Sequence, residues 1–499
     1  MASLAPSDEV APKIGLKDIK VQSVRGGTLT FLDSMVALGL STVQTIVLAR
    51  LLTPGDFGLV AIATAITAFA GTFSDFGLSA AIIQREHITH GQVTSLFWVN
   101  SGIGLGVSVL TALAGFPVAW FYHRSELQPI LLTLSLTFLL AGMSSQHRAL
   151  LRRQMLFFRL TWINITANVV AVASAIGSAL MGAGFWSLVI GTLVNNMISS
   201  TLLILGSGWM PGHPFPWVNV RDLMKFGAHL AGFNVVNYFA RNLDSLLIGK
   251  FYGSHALGLY SRAYQLLMLP ISRIRDPLNA AAMPGLSRLQ GQPEPFRQYY
   301  RRISAVLAMV TMPLVALLAV SSEHVVNVLL GPNWSETATI FQWMAIAGFI
   351  QPVASLRGLV LVASGQTRLY FRWGLINAVC CALAFLIGIP WGAVGVASAY
   401  AVQNYLILYP SMALLFGNTE VRIADFHHAV WRPAVASFIL IGAAWISGQW
   451  LKGQPHIVIL IAQAVSGGVA YLFAFCLLPG GRKELASLLG NLSSSFLKK

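Results

Sequence analysis

The chain has 499 residues, of which 56% are hydrophobic and only 10% are charged, whereas about 25% of the residues of soluble domains are charged. A water-soluble fold could not bury so much apolar surface, so the composition excludes one and indicates a protein that spans a membrane. The chain also has 32 Lys and Arg residues against 17 Asp and Glu residues. Because membrane proteins collect such an excess in their cytoplasmic loops, we expect no nucleic acid among the partners.

About 20 mainly apolar residues cross a bilayer as a helix, and fourteen segments of the sequence meet that condition. We therefore predict an all-α integral membrane fold with about 14 transmembrane helices. The predicted spans are 26–49, 57–79, 93–118, 128–147, 160–182, 184–206, 226–249, 257–283, 303–320, 337–363, 372–390, 392–416, 431–450 and 456–478.

These spans divide the chain into six regions. They are a cytoplasmic N-terminal tail (1–25), an N-terminal lobe of six spans (26–206), a cytoplasmic linker (207–225), a C-terminal lobe of six spans (226–416), a final pair of spans (431–478) and a cytoplasmic C-terminal tail (479–499).

Loop charge predicts how the chain is oriented. With the N-terminus inside, the predicted inner segments contain 23 Lys and Arg residues, counting Arg372 and Arg432 at the inner ends of two spans, and the outer segments contain 4. Cytoplasmic loops of membrane proteins are the basic ones, so both termini are predicted to be cytoplasmic. All predicted outer loops are short, which leaves no room for a soluble catalytic domain.

A sequence repeat relates the two lobes. Residues 49–59 (ARLLTPGDFGL) recur as 249–259 (GKFYGSHALGL), and 181–184 (MGAG) resembles 391–395 (WGAVG). The offset of about 200 residues matches six spans, so we predict two six-helix repeats in the same orientation, followed by two C-terminal helices. Such repeats are typical of secondary transporters, whose substrate site lies between the lobes.

One face of the predicted span 226–249 is polar. It carries Asn234, Asn237, Arg241 and Asp244 at steps of three and four, which places them on one side of a helix. The equivalent span 26–49 has small and polar residues at the matching positions. This pattern predicts two walls of one central cavity. The alternative is that Arg241 and Asp244 simply pair with each other.

Besides Arg372 and Arg432 at span ends, five arginines lie within predicted spans, where a charge costs about 2.5–3.5 kcal/mol and normally faces a cavity or a partner. A guanidinium group binds two phosphate oxygens at once, so an excess of arginine indicates an anionic substrate. For Arg275 and Arg357 the alternative is that they reach the lipid headgroups. The predicted substrate-binding residues are Arg241, Arg262, Arg273, Arg275, Arg357 and Asn237, and the residues predicted to balance charge or bind a coupling cation are Asp33, Asp75 and Asp244.

Six short motifs stand out along the chain: 48–59 (LARLLTPGDFGL), 75–78 (DFGL), 83–85 (IQR), 258–266 (GLYSRAYQL), 284–288 (PGLSR) and 330–334 (LGPNW). They resemble the motifs of the polysaccharide-transporter family, which is the O-antigen and exopolysaccharide flippase branch of the multidrug/oligosaccharidyl-lipid/polysaccharide exporter superfamily. Within that family they most resemble the colanic-acid exporter type.

The resemblance implies two helical bundles that form a V around a solvated, cationic cavity, as in multidrug exporters of the superfamily. It also implies alternating access in the bacterial inner membrane and an undecaprenyl-pyrophosphate-linked oligosaccharide as substrate. Arg262 matches the basic position of the GLYSRAYQL motif. Membrane lipids are implied partners, and a polymerase with export machinery would be a further one.

The sequence has no GxxxxGK[ST] nucleotide-binding loop and no HExxH motif, so we expect no cofactor, no metal and no enzymatic activity. Three other functions stay open. A multidrug or organic-cation antiporter should have mainly carboxylates in its spans, but here five Arg stand against four Asp. A membrane polymerase or ligase would need a larger outer loop. A lipid II flippase shares the architecture, but the motifs fit the exopolysaccharide branch better.

Overall fold

The computed structural model describes residues 16–74, 88–213, 220–417 and 419–485. Throughout these ranges the protein is built from α-helices, with short 3₁₀ helices at Pro332–Trp334 and Ile389–Trp391. The all-helical class predicted from the composition is confirmed. The α-helices are α1 (Leu16–Leu51), α2 (Pro54–Gly71), α3 (His90–Tyr122), α4 (Leu127–Arg153), α5 (Phe157–Leu180), α6 (Trp186–Ser207), α7 (Val220–Arg288), α8 (Pro293–Val320), α9 (Ser322–Leu329), α10 (Ser335–Ala354), α11 (Leu356–Ala363), α12 (Thr367–Gly388), α13 (Gly392–Leu406), α14 (Leu408–Phe416), α15 (Ile423–Trp450) and α16 (His456–Leu477).

Eleven helical stretches of the described residues are long and apolar enough to cross a membrane. The protein is therefore a multi-pass membrane protein, but the predicted number of fourteen spans is not confirmed. The difference arises at two places. Helix α7, which contains two predicted spans, is not among the eleven, and it carries both polar and charged residues along its length. The predicted spans 372–390 and 392–416 fall within one stretch, Thr367–Phe416.

The chain forms two compact units, Met1–Gly258 and Leu259–Lys499, called here the N-terminal and C-terminal units. The lobes predicted from the sequence divide the chain elsewhere, at 207–225, and that division stays a prediction. In the N-terminal unit, α3 packs against α4, α5 against α6, α1 against α5 and α4 against α6. Helix α4 also contacts α2 and α5, so it touches four other helices and lies at the centre of this unit.

The repeated segment LLTPGDFGL begins helix α2. The backbone N–H of Asp56 donates to Thr53 Oγ1 at 3.3 Å, and the backbone N–H of Thr53 donates to Asp56 Oδ2 at 2.9 Å. Pro54 occupies the first helical turn, where its missing N–H costs no hydrogen bond. This reciprocal capping satisfies donors that the helix itself leaves unpaired, so the motif starts α2 at a defined residue.

The two copies of the repeated segment touch each other within the N-terminal unit. Helix α7 is interrupted at Gly253, which has a φ of 76°, and the next turn lies against the start of α2. A Cβ atom on Gly58 would overlap the carbonyl oxygen of Ser254, and one on Gly258 would overlap that of Pro54. The contact is reciprocal because 254 and 258 are the repeat equivalents of 54 and 58. Only glycine lets two backbones approach this closely.

In the C-terminal unit, α8 packs against α10 and α15, α10 against α13, and α15 against α16. The apolar core of this unit contains large side chains from α8 and α14. They include Phe296, Tyr300, Met312, Met412 and Phe416. Helix α8 therefore fills the centre of the C-terminal unit, as α4 does in the N-terminal unit.

A buried ion pair joins α8 to the start of α15. Asp425 is 0% exposed and accepts hydrogen bonds from Arg297 Nε at 3.0 Å and from Arg301. Its carboxylate also accepts from the backbone N–H of Arg422 at 2.8 Å and so caps α15. Every oxygen of this carboxylate has a donor, which a buried charge requires.

Candidate functional site

Three of the predicted substrate-binding arginines lie on the second part of α7, in the C-terminal unit. Arg262 is partly buried and Arg273 is exposed. Arg275 Nε donates to Asp276 Oδ1 at 2.9 Å, and the Asp276 side chain is 61% exposed. Only Nε of Arg275 takes part in this contact, and a guanidinium group has further N–H donors that can bind another anion.

Arg357 is bound within the C-terminal unit. Its Nε donates to the carbonyl oxygen of Ala354 at 2.7 Å, and its Nη1 donates to Ser411 Oγ. The guanidinium carbon lies 6.0 Å from the centre of the Trp373 ring. Arg357 thereby ties the end of α10 to α14. Its predicted role in substrate binding stays a prediction, and this geometry gives it a structural role.

The predicted charge-balancing residues fall in different surroundings. Asp33 on α1 accepts a hydrogen bond at Oδ2 from Asn164 Nδ2 on α5, at 2.9 Å. Within the described part of the chain its other oxygen, Oδ1, is buried without a hydrogen-bond partner. Asp244 is buried, with the backbone N–H of Ser245 donating to its Oδ1 at 2.7 Å.

The remaining predicted site residues lie outside the described residues. Asp75 belongs to 75–87, and the side chains of Asn237 and Arg241 are likewise outside the description, although their backbone belongs to α7. The central cavity predicted from the polar faces of two spans therefore stays a prediction.

A polar cavity of about 290 Å³ lies inside the N-terminal unit. It is formed mainly by α4 and α6, whose small side chains leave the space open. Two arginines, Arg148 and Arg152, line it one helical turn apart on α4. The other lining residues are Ser74, Ala141, Gly142, Ser144, Ser145, Ala149, Asn196, Ser199 and Ser200.

Hydrogen bonds across the cavity walls fix its shape. Arg148 Nη2 donates to Ser199 Oγ at 3.1 Å, and Ser200 Oγ lies 3.1 Å from Ser144 Oγ, so both contacts join α4 to α6. A third contact joins α4 to α3, because the Asn100 amide donates to Ser145 Oγ at 3.0 Å. The cavity therefore holds two guanidinium groups among hydroxyl groups that can both donate and accept.

This cavity was not predicted from the sequence. The predicted span ended at 147, which placed Arg148 and Arg152 in an inner loop, whereas α4 continues to Arg153. A signal was nevertheless present in the sequence. Ser144, Ser145, Arg148 and Arg152 follow each other at helical spacing, which puts them on one face of α4.

A second cavity, of about 590 Å³, lies in the C-terminal unit between α8, α14 and the loop before α15. Its lining includes Arg297 and Arg422 but also Glu420. Arg297 is already paired with Asp425 and Glu294. Positive charge is therefore balanced here by carboxylates, so the cavity suits an anion less well than the one in the N-terminal unit.

Metal binding has no support from side-chain geometry in the described residues. Across those ranges, no group of three or more His, Cys, Asp or Glu residues could hold a metal ion.

Comparison with protein families gives a match over residues 47–339, to a family described as polysaccharide biosynthesis protein. The match covers more than half of the 499 residues. The chain belongs to this polysaccharide biosynthesis family. The resemblance stated from the sequence motifs is thereby confirmed.

Relatives match this family member over most of its length. The lipopolysaccharide biosynthesis protein WzxC of Escherichia coli (strain K12) is 26% identical, and the match covers 87% of this chain and 89% of WzxC. The teichuronic acid biosynthesis protein TuaB of Bacillus subtilis (strain 168) is 27% identical, with 92% and 96% covered. The succinoglycan biosynthesis transport protein ExoT of Rhizobium meliloti (strain 1021) is 26% identical, with 87% and 88% covered.

Solved structures share the fold of this family member. The lipid II flippase MurJ, in an inward closed conformation, matches with a TM-score of 0.72 at 15% identity, covering 90% of this chain and 98% of MurJ. An inward-facing multidrug transporter of the MATE family, from the MOP superfamily, matches with a TM-score of 0.59 at 12% identity, covering 81% of this chain and 98% of the transporter. The predicted superfamily fold is therefore confirmed.

Proposed function

We propose that this member of the polysaccharide biosynthesis family is a flippase. It moves oligosaccharide repeat units linked to undecaprenyl pyrophosphate across the bacterial inner membrane, for the synthesis of an exopolysaccharide or lipopolysaccharide. The observation that supports this most strongly is the match, along nearly the whole chain, to proteins named for polysaccharide biosynthesis and, in one case, transport. The flippase fold of MurJ agrees with it.

In this mechanism the pyrophosphate enters from the inner leaflet and meets arginine side chains, while the polyprenyl tail stays in lipid. The lobes then rock, and the sugar headgroup is exposed on the outer side. Both termini are cytoplasmic in this proposal, which the distribution of Lys and Arg over the predicted loops supports. Transport requires no bond to be broken in the substrate, so the chain acts as a transporter and leaves polymerisation to a partner enzyme.

The proposed substrate-binding residues differ in how strongly their contacts support the role. Arg262 and Arg273 come first, because Arg262 matches a family motif and Arg273 is exposed. Arg357 comes last, because its donors are used within the C-terminal unit. Asp33 and Asp244 are proposed to balance the charge of nearby arginines when no substrate is bound.

Deletion and rescue in the native host test the proposal. The gene is deleted and restored as wild type, as Arg262→Ala, or as Arg302→Ala, with membrane expression matched. Arg302 is exposed on α8 of the same unit and has no proposed role, so it controls for loss of one positive charge. The readouts are surface polysaccharide and the leaflet in which the lipid-linked precursor accumulates.

If the protein is a flippase, the deletion strain and the Arg262→Ala strain lose the surface polymer and accumulate precursor on the cytoplasmic leaflet, whereas the Arg302→Ala strain behaves as wild type. If precursor reaches the outer leaflet of the deletion strain without being polymerised, the chain is a polymerase or ligase and the proposal is wrong. If polysaccharide is unchanged and the strain instead becomes sensitive to cationic drugs, the antiporter alternative replaces it.

A further inference from the structure

We infer that the N-terminal unit contains a phosphate-binding subsite of its own, the cavity between α4 and α6 lined by Arg148 and Arg152. The inference rests on the proposed function, because it assigns the site to a phosphate ester such as the pyrophosphate of a lipid-linked sugar. Neither arginine belongs to the substrate-binding residues proposed from the sequence. The cavity therefore adds a binding site to the proposed mechanism.

Charge is the first reason. Two guanidinium groups line the cavity, and among the described residues its lining contains no carboxylate. Like charges one turn apart on a helix repel each other, so the arrangement of Arg148 and Arg152 lowers the stability of α4. An anion bound between them removes that repulsion.

The donors are also arranged as a phosphate requires. Arg148 uses one Nη2 donor for Ser199, and a guanidinium group has five N–H donors in a planar fork. The hydroxyl group of Ser199 and the second N–H of the Asn196 amide also line the cavity and can donate to the remaining oxygens, whereas the hydroxyl groups of Ser144 and Ser200 already donate within the cavity wall. This combination of a bidentate cation and neutral donors is typical of phosphate recognition.

Size selects the part of the substrate that fits. A volume of about 290 Å³ lies at the lower end of the range of about 300–1,000 Å³ found for sites that enclose drug-sized ligands. A phosphate or pyrophosphate group fits such a space, whereas an oligosaccharide repeat unit does not. The sugars and the lipid tail would therefore extend beyond the cavity.

Asp33 supplies the counter-charge that the lining lacks. Its carboxylate attracts the Arg148 guanidinium group, and Asn164 holds it in place through Oδ2. Asp33 thus competes with a bound phosphate for the same cation. Removing the charge of Asp33 should strengthen phosphate binding, whereas removing the charge of Arg148 should weaken it.

Binding to the full-length protein in nanodiscs of zwitterionic phospholipid tests the inference. Isothermal titration with inorganic pyrophosphate compares wild type with Arg148→Gln, Arg152→Gln and Asp33→Asn. We expect each arginine variant to bind about tenfold or more weakly, since a charge-assisted hydrogen bond is lost, and Asp33→Asn to bind more tightly than wild type. The matched control is Arg159→Gln, an exposed arginine on α5 outside the cavity, which should bind as wild type.

Two further arms identify the source of the phosphate. If farnesyl pyrophosphate displaces inorganic pyrophosphate at low concentration, the site binds a prenyl pyrophosphate. If phosphatidylglycerol in the nanodisc displaces inorganic pyrophosphate, the site binds a phospholipid headgroup.

Two further variants test the cavity itself. Arg148→Lys keeps the charge without the planar fork, so it should bind pyrophosphate with an affinity between those of wild type and Arg148→Gln. Ser199→Ala tests the same cavity where an arginine variant does not fold.

Pyrophosphate binding that is absent in wild type, or equal in wild type and both arginine variants, would overturn the subsite. That result is separate from a failure of the flippase proposal. If wild type restores surface polysaccharide in the deletion strain while pyrophosphate does not bind here, only the subsite is wrong. If wild type does not restore the polymer, the flippase proposal fails whatever the titration gives.

Discussion

Arginine side chains have two different roles in this molecule, and hydrogen bonding distinguishes them. Arg357 donates to the Ala354 carbonyl oxygen and to Ser411 Oγ, so its charge stabilises the ends of helices. Arg148 makes one contact across a cavity wall and faces open space beside Arg152. Both belong to the same residue type in apolar surroundings, so only their contacts indicate which role each has.

Substitution of Arg357 should therefore lower stability rather than transport. In Arg357→Gln the carbonyl oxygen of Ala354 loses a donor, at a cost of about 1–3 kcal/mol. We expect a lower melting temperature in detergent and less protein in the membrane, with transport per molecule unchanged. If Arg357→Gln reaches normal abundance in the membrane but loses transport, this prediction is wrong and Arg357 binds substrate. The measurement is polysaccharide output normalised to membrane protein.

A histidine pair at the surface of the C-terminal unit should respond to pH. The Nδ1 atoms of His324 on α9 and His456 on α16 lie 2.9 Å apart, so at most one of the two rings can be charged without strong repulsion. Burial and the nearby His456 lower the pKa of His324 below 6.5, while Glu323 opposes them. The folded protein thus binds this proton less tightly than the unfolded chain does.

Stability contributed by the neutral pair should be present above pH 6.5 and lost as the pH falls below it. Hydrogen exchange of α9, measured from pH 8 to pH 5, should show faster local opening at the acid end after correction for intrinsic exchange. His324→Gln cannot titrate, and the acid-induced increase should disappear in that variant. An unchanged pH profile in His324→Gln would show that another group is responsible.

At the scale of elements, buried charge joins α8 to α15. Asp425→Asn leaves Arg297 and Arg301 without their carboxylate, and loss of one partner from a buried ion pair costs about 3–5 kcal/mol. We expect a marked fall in the melting temperature of the purified protein. The matched control is Glu484→Gln, whose partner Arg432 is also on α15, but in this pair both side chains are about a quarter exposed. Such a surface pair should contribute about 0–1 kcal/mol, and equal losses in the two variants would contradict the argument.

The sequence predicts the elements well where hydrophobicity determines them, and poorly where polar residues enter a helix. The apolar spans of α3 to α6 follow from length and composition alone. The end of α4 does not, because the charges of Arg148 and Arg152 predict a loop, whereas the helix continues to Arg153 and Arg148 donates to Ser199 on α6. Helix α7 shows the same effect, since it carries polar and charged residues along its length and is not among the apolar stretches.

At the scale of the whole molecule, the family and its fold could be predicted from motifs, whereas the site could not. The 48–59 motif indicates the family, and in the structure its residues start α2 and pack against the second copy. Arg148 belongs to none of the motifs that resemble those of the family. Which residues share a cavity depends on contacts between helices far apart in sequence, such as Arg148 with Ser199, and a single sequence does not contain that information.

The glycine contact between the two repeat copies predicts a shared sensitivity to substitution. Gly58→Ala and Gly258→Ala each place a Cβ atom inside a backbone carbonyl group, so the helices must separate. We expect both variants to reduce membrane abundance and polysaccharide output, by similar amounts. Gly106→Ala on α3 is the control, because its Cβ meets no atom within 4 Å and alanine favours a helix over glycine. Wild-type behaviour of Gly58→Ala would show that the backbones are free to separate.

The contact also constrains how the two halves of the gene can diverge. Gly58 meets Ser254 as Gly258 meets Pro54, which is the pattern of an isologous interface between identical subunits. In a homodimer one mutation changes both sides at once, so the surface stays self-complementary or fails as a whole. Here each side is encoded separately, and a change in one copy is first tested against the unchanged partner in the same chain. A substitution in one copy of the repeat is therefore retained only if it still packs against the other copy.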